Sequence, residues 1–399
     1  MKQSKLASTA SYSLVQGATW GIYAVLLSFS SNVLYDFGFS DGQISLMLGF
    51  CTVGAFCTQL LVAELVNRFS QAKMYKVLMG MGALILVCSM ILLMLRSVPV
   101  VSIPAFALSC VVLQGIPACA DALGMDAIEK GSATNYSLAR ALGSLSYSII
   151  AYTTGFLVRR FGTPMIPVMG ILCGAALAVG ALSFHLTGER GLAVEHRPKQ
   201  KAEHRKGFLK QYPRYAAFLV GVIFINMSQN LVSNFMYQIM LSKSGGPAEQ
   251  GISTAISAMV EIPVMVLFPL MMSRVRCDRW LRLAGIGQMI KPLGILLATA
   301  PLGVYLSQGG QMLGYGLFVI SSANYARLVV GKGESVRAQG YLGAMKIVGG
   351  LIASTTGGFI CQQLGVPVLV SASAVSAIIG GTIFLLTVEK TKEIKASLS

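Results

Sequence analysis

The sequence predicts an all-α integral membrane protein of twelve transmembrane helices, arranged as two six-helix pseudo-repeat halves. Three observations predict it. The chain is apolar and poor in charge, its apolar stretches have bilayer length, and a string from the first half recurs at the matching place in the second. Of 399 residues, 54% are hydrophobic and only 12% charged, with a mean hydropathy of +0.69. A soluble globular domain carries charge on about a quarter of its residues. So little charge cannot cover a water-facing surface, and disordered, collagenous and disulfide-scaffold classes fail on the same composition.

A bilayer core about 30 Å thick takes roughly 20 apolar residues of helix. Such stretches lie at about 11–34, 43–66, 74–95, 99–121, 138–158, 164–187, 215–241, 251–272, 281–302, 305–328, 337–361 and 366–387, numbered here as spans 1 to 12. Connections are short except for residues 188–214, a polar segment with eight Lys/Arg near the middle of the chain. Residues 1–187 are therefore expected to form one bundle and 215–399 a second with a short tail, joined by a basic linker. Span 1 is too long for a signal-peptide core and lacks a small-residue cleavage site, so it is expected to stay as a helix.

A net charge of +16 would point to nucleic acid in a soluble chain. The positions of the cations say otherwise. With both termini cytoplasmic, the inside segments hold Lys2, Lys5, Arg68 to Lys76, Lys130, Arg140, the linker, Arg274 to Arg282, Arg327 to Arg337 and Lys390 to Lys395. The outside loops hold only Arg96, Arg159, Arg160 and Lys243. This asymmetry is the positive-inside pattern of a multi-pass protein of the cytoplasmic membrane. The charge is thus assigned to topology, with the lipid bilayer and no nucleic acid as partner.

Residues 149–156 read IIAYTTGF and residues 351–359 read LIASTTGGF, in spans 5 and 11. Two six-helix halves related as parallel repeats are a transporter architecture. The 43 glycines suit helices that pack closely.

A charge at mid-membrane is costly unless it faces a cavity or a partner. Glu261 in span 8, Lys291 in span 9 and Lys346 in span 11 each sit roughly 15 Å deep, at 1.5 Å of rise per residue. Pro263 and Pro292 follow the first two closely and release backbone carbonyls nearby. One acid against two bases leaves a cation that an anionic ligand group would complete. The plainer alternative is an ion-pair triad that only holds helices together.

Polar residues at helical spacing mark faces that cannot meet lipid. Span 7 carries Asn226, Asn230, Asn234 and Tyr237, with Gln229 and Ser233 beside them. Span 5 carries Arg140, Ser144, Tyr147 and Thr154; span 1 carries Gln16, Trp20 and Tyr23; span 10 carries Gln308, Gln311 and Tyr315. Interhelical hydrogen bonding would explain any one of these stripes, but a lined cavity explains all of them. Aromatics beside polar groups suit a ring-bearing solute. Glu64 and Asp121 fall at the expected cytoplasmic ends of spans 2 and 4, where gate or loop-anchoring acids are placed.

The three His lie at a span end or in the linker, so an intramembrane proton site has to be a carboxylate, and Glu261 is the deep one. The eight Cys form no CxxC pair and no metal-ligand spacing. No cofactor, metal, nucleotide-binding motif or nucleophile–base spacing is read, and an enzyme is not expected.

With these residues in view, the chain resembles the major facilitator superfamily, and within it the lactose permease-like and phenylpropionate or nucleoside permease-like proton symporters. NYSLARALGSLSY (135–147) resembles that branch's fifth-helix string. By that likeness Arg140 holds the substrate, Tyr147 stacks on its ring and Asp121 pairs with Arg140. Lys346 corresponds to the family's cavity lysine, Lys291 stands where the family carries Arg, and the EIP of 261–263 resembles its intramembrane Glu. The usual loop after span 2 reads AELVNRFS here (63–70), keeping Arg68. Gln311 and Gly314 stand where lactose permease has its coupling His and Glu, and Asn226 where it has Asp. Losing those acids while keeping two lysines makes the cavity more positive.

The function expected from sequence is therefore secondary transport of a small organic anion, such as a ring-bearing carboxylate, by a proton-coupled monomer using alternating access. Lys346 and Lys291 would bind the carboxylate, Tyr147 and Trp20 would cover the ring, and Glu261 would carry the coupled proton. The alternative is a proton symporter of a neutral sugar or nucleoside, resting on the span-7 amides and the Arg140/Tyr147 pair, or an uncoupled facilitator or efflux carrier.

Overall fold

The computed structural model describes residues 2–68, 74–129, 132, 134–188, 207–330 and 334–391. Most of the central linker, Lys130 and the tail beyond Thr391 lie outside these, as do the side chains of Glu64 and Arg68. The described residues form helices α1 (Lys2–Ile22), α2 (Ser30–Asp36), α3 (Asp41–Arg68), α4 (Met74–Met94), α5 (Pro99–Leu113), α6 (Ile116–Glu129), α7 (Tyr136–Phe161), α8 (Met165–Gly188) and α9 (Phe208–Gln211). They continue as α10 (Pro213–Asn234), α11 (Met236–Ser242), α12 (Pro247–Arg274), α13 (Cys277–Gly287), α14 (Ile290–Leu297), α15 (Pro301–Ser307), α16 (Leu317–Val329), α17 (Ser335–Leu364) and α18 (Val366–Thr387).

Among the described residues, nine helical stretches are long and apolar enough to cross a membrane. They correspond to spans 2 to 8, 11 and 12. The remaining spans, 1, 9 and 10, are interrupted, and spans 4 and 7 also break, at Gln114 and Phe235. Span 1 passes from α1 through a π-helical segment, Tyr23–Leu27, before α2. Span 9 breaks between α13 and α14, and span 10 passes through a second π segment, Met312–Gly316. Broken or π-wound helices are tolerated at membrane depth only where protein or a polar cavity satisfies the released backbone groups. Span 4 is helical as far as Ile128. Asp121 therefore lies within this helical run, the 23rd residue counted from its start at Pro99.

The chain divides into two compact units. The first comprises Met1–Phe39, Phe50–Pro198 and Gly246–Ala258, the second Ser40–Gly49, Lys199–Gly245 and Met259–Ser399. In the first, α4 and α8 cross at Gly82 and Gly174. A Cβ on either glycine would stand 2.8 Å from the other's carbonyl oxygen, so only glycine allows this approach. The beginning of α12 packs here too, with Gly251 against Gly155 of α7. Gln250 donates to the Ser28 carbonyl at 2.6 Å.

The second unit is built around buried aromatics. Phe218 of α10, Phe318 and Tyr325 of α16 and Phe384 of α18 are fully buried, with Phe218 centred 4.9 Å from Phe384 and 5.0 Å from Tyr325. Such rings are worth roughly 1 kcal/mol per pair beyond their buried area. The outward faces instead carry exposed Val100, Leu297, Leu306 and Leu386, as lipid-facing helices require.

Candidate functional site

In the first unit the polar cluster grows from span 1. Gln16 is buried, and its amide nitrogen donates to Asp121 Oδ1 and to Tyr12 Oη, both at 2.9 Å. Its oxygen accepts from the Trp20 indole at 3.2 Å. Tyr136 also donates to Asp121, at 3.0 Å. The Arg140 guanidinium lies over the Trp20 ring, 4.2 Å from its centroid, and reaches Ser144 Oγ at 3.4 Å. The pairing of Asp121 with Arg140 drawn from the resemblance is thus not made. Two neutral donors, Gln16 and Tyr136, meet one carboxylate oxygen, Oδ1, while an aromatic face holds the cation.

The π segment after α1 places Tyr23 so that its hydroxyl donates to Gln114 Oε1 at 2.8 Å. Gln114 is the residue at which span 4 breaks between α5 and α6. Trp20 and Tyr23 lie 5.4 Å apart. Tyr147, expected to present its ring, has its hydroxyl hydrogen-bonded to Ser28 Oγ at 2.8 Å.

In the second unit the cluster is a chain across three spans. Buried Lys291 donates to Gln311 Oε1 at 3.0 Å, and the Gln311 amide donates to Glu261 Oε1 at 2.7 Å. Close packing of the broken spans 9 and 10 makes this reach possible. A Cβ on Gly310 would stand 2.8 Å from the Lys291 backbone nitrogen. Tyr315, in the π segment, donates to Asn226 Oδ1 at 3.3 Å. Gln288 and Gln229 extend the amide set at 3.5 Å. Lys346 lies over the Phe318 ring, 5.0 Å from its centroid. Among the described residues it has no carboxylate partner.

The amides of span 7 have mixed duties. Asn226 and Asn230 donate back to carbonyls of their own helix, at 2.9 and 2.8 Å, and Asn234 donates to Ser354 Oγ at 2.9 Å. Asn230, Asn234 and Tyr237 are half-buried, and among the described residues the Asn230 amide oxygen accepts no hydrogen bond. A model of the MFS_1 like family matches residues 18–370 of this architecture. The chain belongs to that family. It is a multi-pass membrane transporter of the major facilitator superfamily.

Solved structures agree with the fold. A structure of the nucleoside transporter NupG carrying a D323A mutation superposes with a TM-score of 0.74 at 15% identity, covering 97% of this chain and all of that one. A second NupG structure gives 0.71 at 14% identity, covering 96% and 98%. No curated protein sequence matches this member of the superfamily.

Sequence reasoning did not single out Gln114, Ser28, Tyr12, Tyr136, Gln288 or Phe318. Gln114 and Gln288 carry a signal in hindsight, since each is a lone amide in an apolar stretch. Phe318 carries none, because its role depends on Lys346 being folded over it.

Proposed function

We propose that the chain carries a neutral ring-bearing solute of the nucleoside type across the cytoplasmic membrane, coupled to protons through Glu261. The observation that carries this reading is the Lys291–Gln311–Glu261 chain. The deep acid already compensates one deep lysine within the protein, so that lysine calls for no anion from the solute. What remains for recognition is mostly neutral: Asn226, Asn230, Gln311 and Tyr315 in one unit, and Trp20, Tyr23 and Arg140 in the other. Amides and hydroxyls fit a sugar's hydroxyls and a base's edges, and indole and phenol faces fit the ring. The likeness in fold to the nucleoside transporter NupG supports the same class. Transport runs by alternating access in a monomer with both termini cytoplasmic.

One observation favours a second reading. Lys346, over a ring and without a carboxylate partner among the described residues, would serve the small organic anion first expected. Uptake into proteoliposomes of radiolabelled nucleosides, hexoses and aromatic carboxylates, compared side by side, tests the two. Nucleoside uptake that survives Lys346→Ala and collapses with Asn230→Ala supports the proposal. Carboxylate uptake lost in Lys346→Ala supports the second reading.

A further inference from the structure

Asp121 lies in the helical run of span 4, yet the nearby cation does not pair with it. Its Oδ1 takes two neutral donors, Gln16 at 2.9 Å and Tyr136 at 3.0 Å. The consequence lies one residue further on. Both hydrogens of the Gln16 amide have acceptors, Asp121 and the Tyr12 hydroxyl. That fixes which end of the amide faces the other way. The oxygen is held toward the Trp20 indole N–H, 3.2 Å away.

The indole is also confined from below. A Cβ on Gly143 would stand 2.8 Å from Trp20 Cδ1 and 3.3 Å from Gln16 Cβ. Arg140, one turn earlier on the same helix, has the ring face at 4.2 Å and, among the described residues, otherwise only the long 3.4 Å contact to Ser144. The placement of the guanidinium thus follows the indole, the indole follows the amide, and the amide follows the carboxylate.

We infer that Asp121 is a positioning residue that, through Gln16, fixes the Trp20 ring on which Arg140 is held for the solute. The inference rests on the proposed function only in giving Arg140 a solute. Asp121 acts by supplying an oxygen acceptor, so its charge is not what the chain of contacts requires.

The chain has two tryptophans, so 5-fluorotryptophan incorporated into the purified full-length protein gives two fluorine resonances, and Trp20→Phe assigns them. Asp121→Ala and Gln16→Ala are expected to shift the Trp20 resonance and leave that of Trp280 in place. Asp121→Asn, which keeps an oxygen acceptor, is expected to restore the wild-type position. In nucleoside uptake, Asp121→Ala raises KM about tenfold, the order a cation–π platform supplies, with maximal velocity kept. Adding Gln16→Ala raises it no further, since both act through one chain of contacts. Should Asp121→Ala not fold, Gln16→Met breaks the same chain while leaving Asp121 with Tyr136. An unmoved Trp20 resonance in the Asp121 and Gln16 variants, or KM effects that multiply, would overturn the inference. If the wild type takes up no nucleoside, the proposed function fails while the fluorine measurement still decides this point.

Discussion

Gln311 stands between Lys291 and Glu261, accepting from the ammonium at 3.0 Å and donating to the carboxylate at 2.7 Å. The amide joins two opposite charges that do not touch each other. Removing one partner of a buried pair strands the other charge, at about 3–5 kcal/mol, whereas removing both is far milder. Lys291→Gln and Glu261→Gln should therefore each lower thermal stability in detergent by several degrees. The double variant should recover most of that loss. A double variant that melts at or below the sum of the singles would refute the pairing.

The aromatic–cation contact of Arg140 with Trp20 makes a separate prediction. Arg140→Lys keeps the charge but loses the planar stacking group. Uptake KM is expected to rise about tenfold, and Trp20→Phe, with a weaker ring, should give a smaller rise. Equal effects of Arg140→Lys and Arg140→Ala would place the contribution in the planar group, while an unaltered KM in both would remove Arg140 from recognition.

At Gly155 and Gly251 two helices of the first unit touch at backbone distance. A Cβ on Gly251 would stand 2.6 Å from the Ala151 carbonyl and 3.0 Å from Gly155 Cα. Because the neighbour is backbone, nothing flexible can yield. Gly251→Ala should slow uptake and Gly251→Leu should abolish it, with the protein still inserted in the membrane. Full activity of the leucine variant would mean that this approach is dispensable.

Outside the membrane, buried Asp278 accepts from Arg276 at 2.9 Å and from the backbone and hydroxyl of Thr391 at 3.1 and 2.9 Å. Burial pushes this carboxyl upward, but the hydrogen bonds and the Arg276 charge outweigh it and hold it below the usual carboxylate range. A depressed group contributes stability above its unfolded pKa and loses it as pH falls through the folded value. Asp278→Ala is expected to cost about 3 kcal/mol at neutral pH. Its melting temperature should converge with the wild type's only at acid below the ordinary carboxylate range. Convergence already near neutrality would contradict the clamp.

Much of this architecture was legible in the sequence. The twelve stretches, the deep charges at 261, 291 and 346 and the polar stripes follow from one-dimensional hydropathy, which the bilayer enforces. The breaks in spans 1, 4, 7, 9 and 10 were not legible, because a broken or π-wound helix survives only where its neighbours satisfy the released backbone groups. The setting of Asp121 was not legible either, since its donors Gln16 and Tyr136 come from other helices. The amide bridge from Lys291 to Glu261 was hidden too, since nothing in the string places Gln311 between two charges on other helices.

The most direct measurement is nucleoside accumulation in proteoliposomes under an imposed pH gradient, for the wild type and Glu261→Gln. Proton coupling through Glu261 predicts gradient-driven accumulation above equilibrium in the wild type. In Glu261→Gln it predicts that nucleoside exchange persists while accumulation is lost. Undiminished accumulation in Glu261→Gln, or a wild type that concentrates only carboxylates, would contradict it.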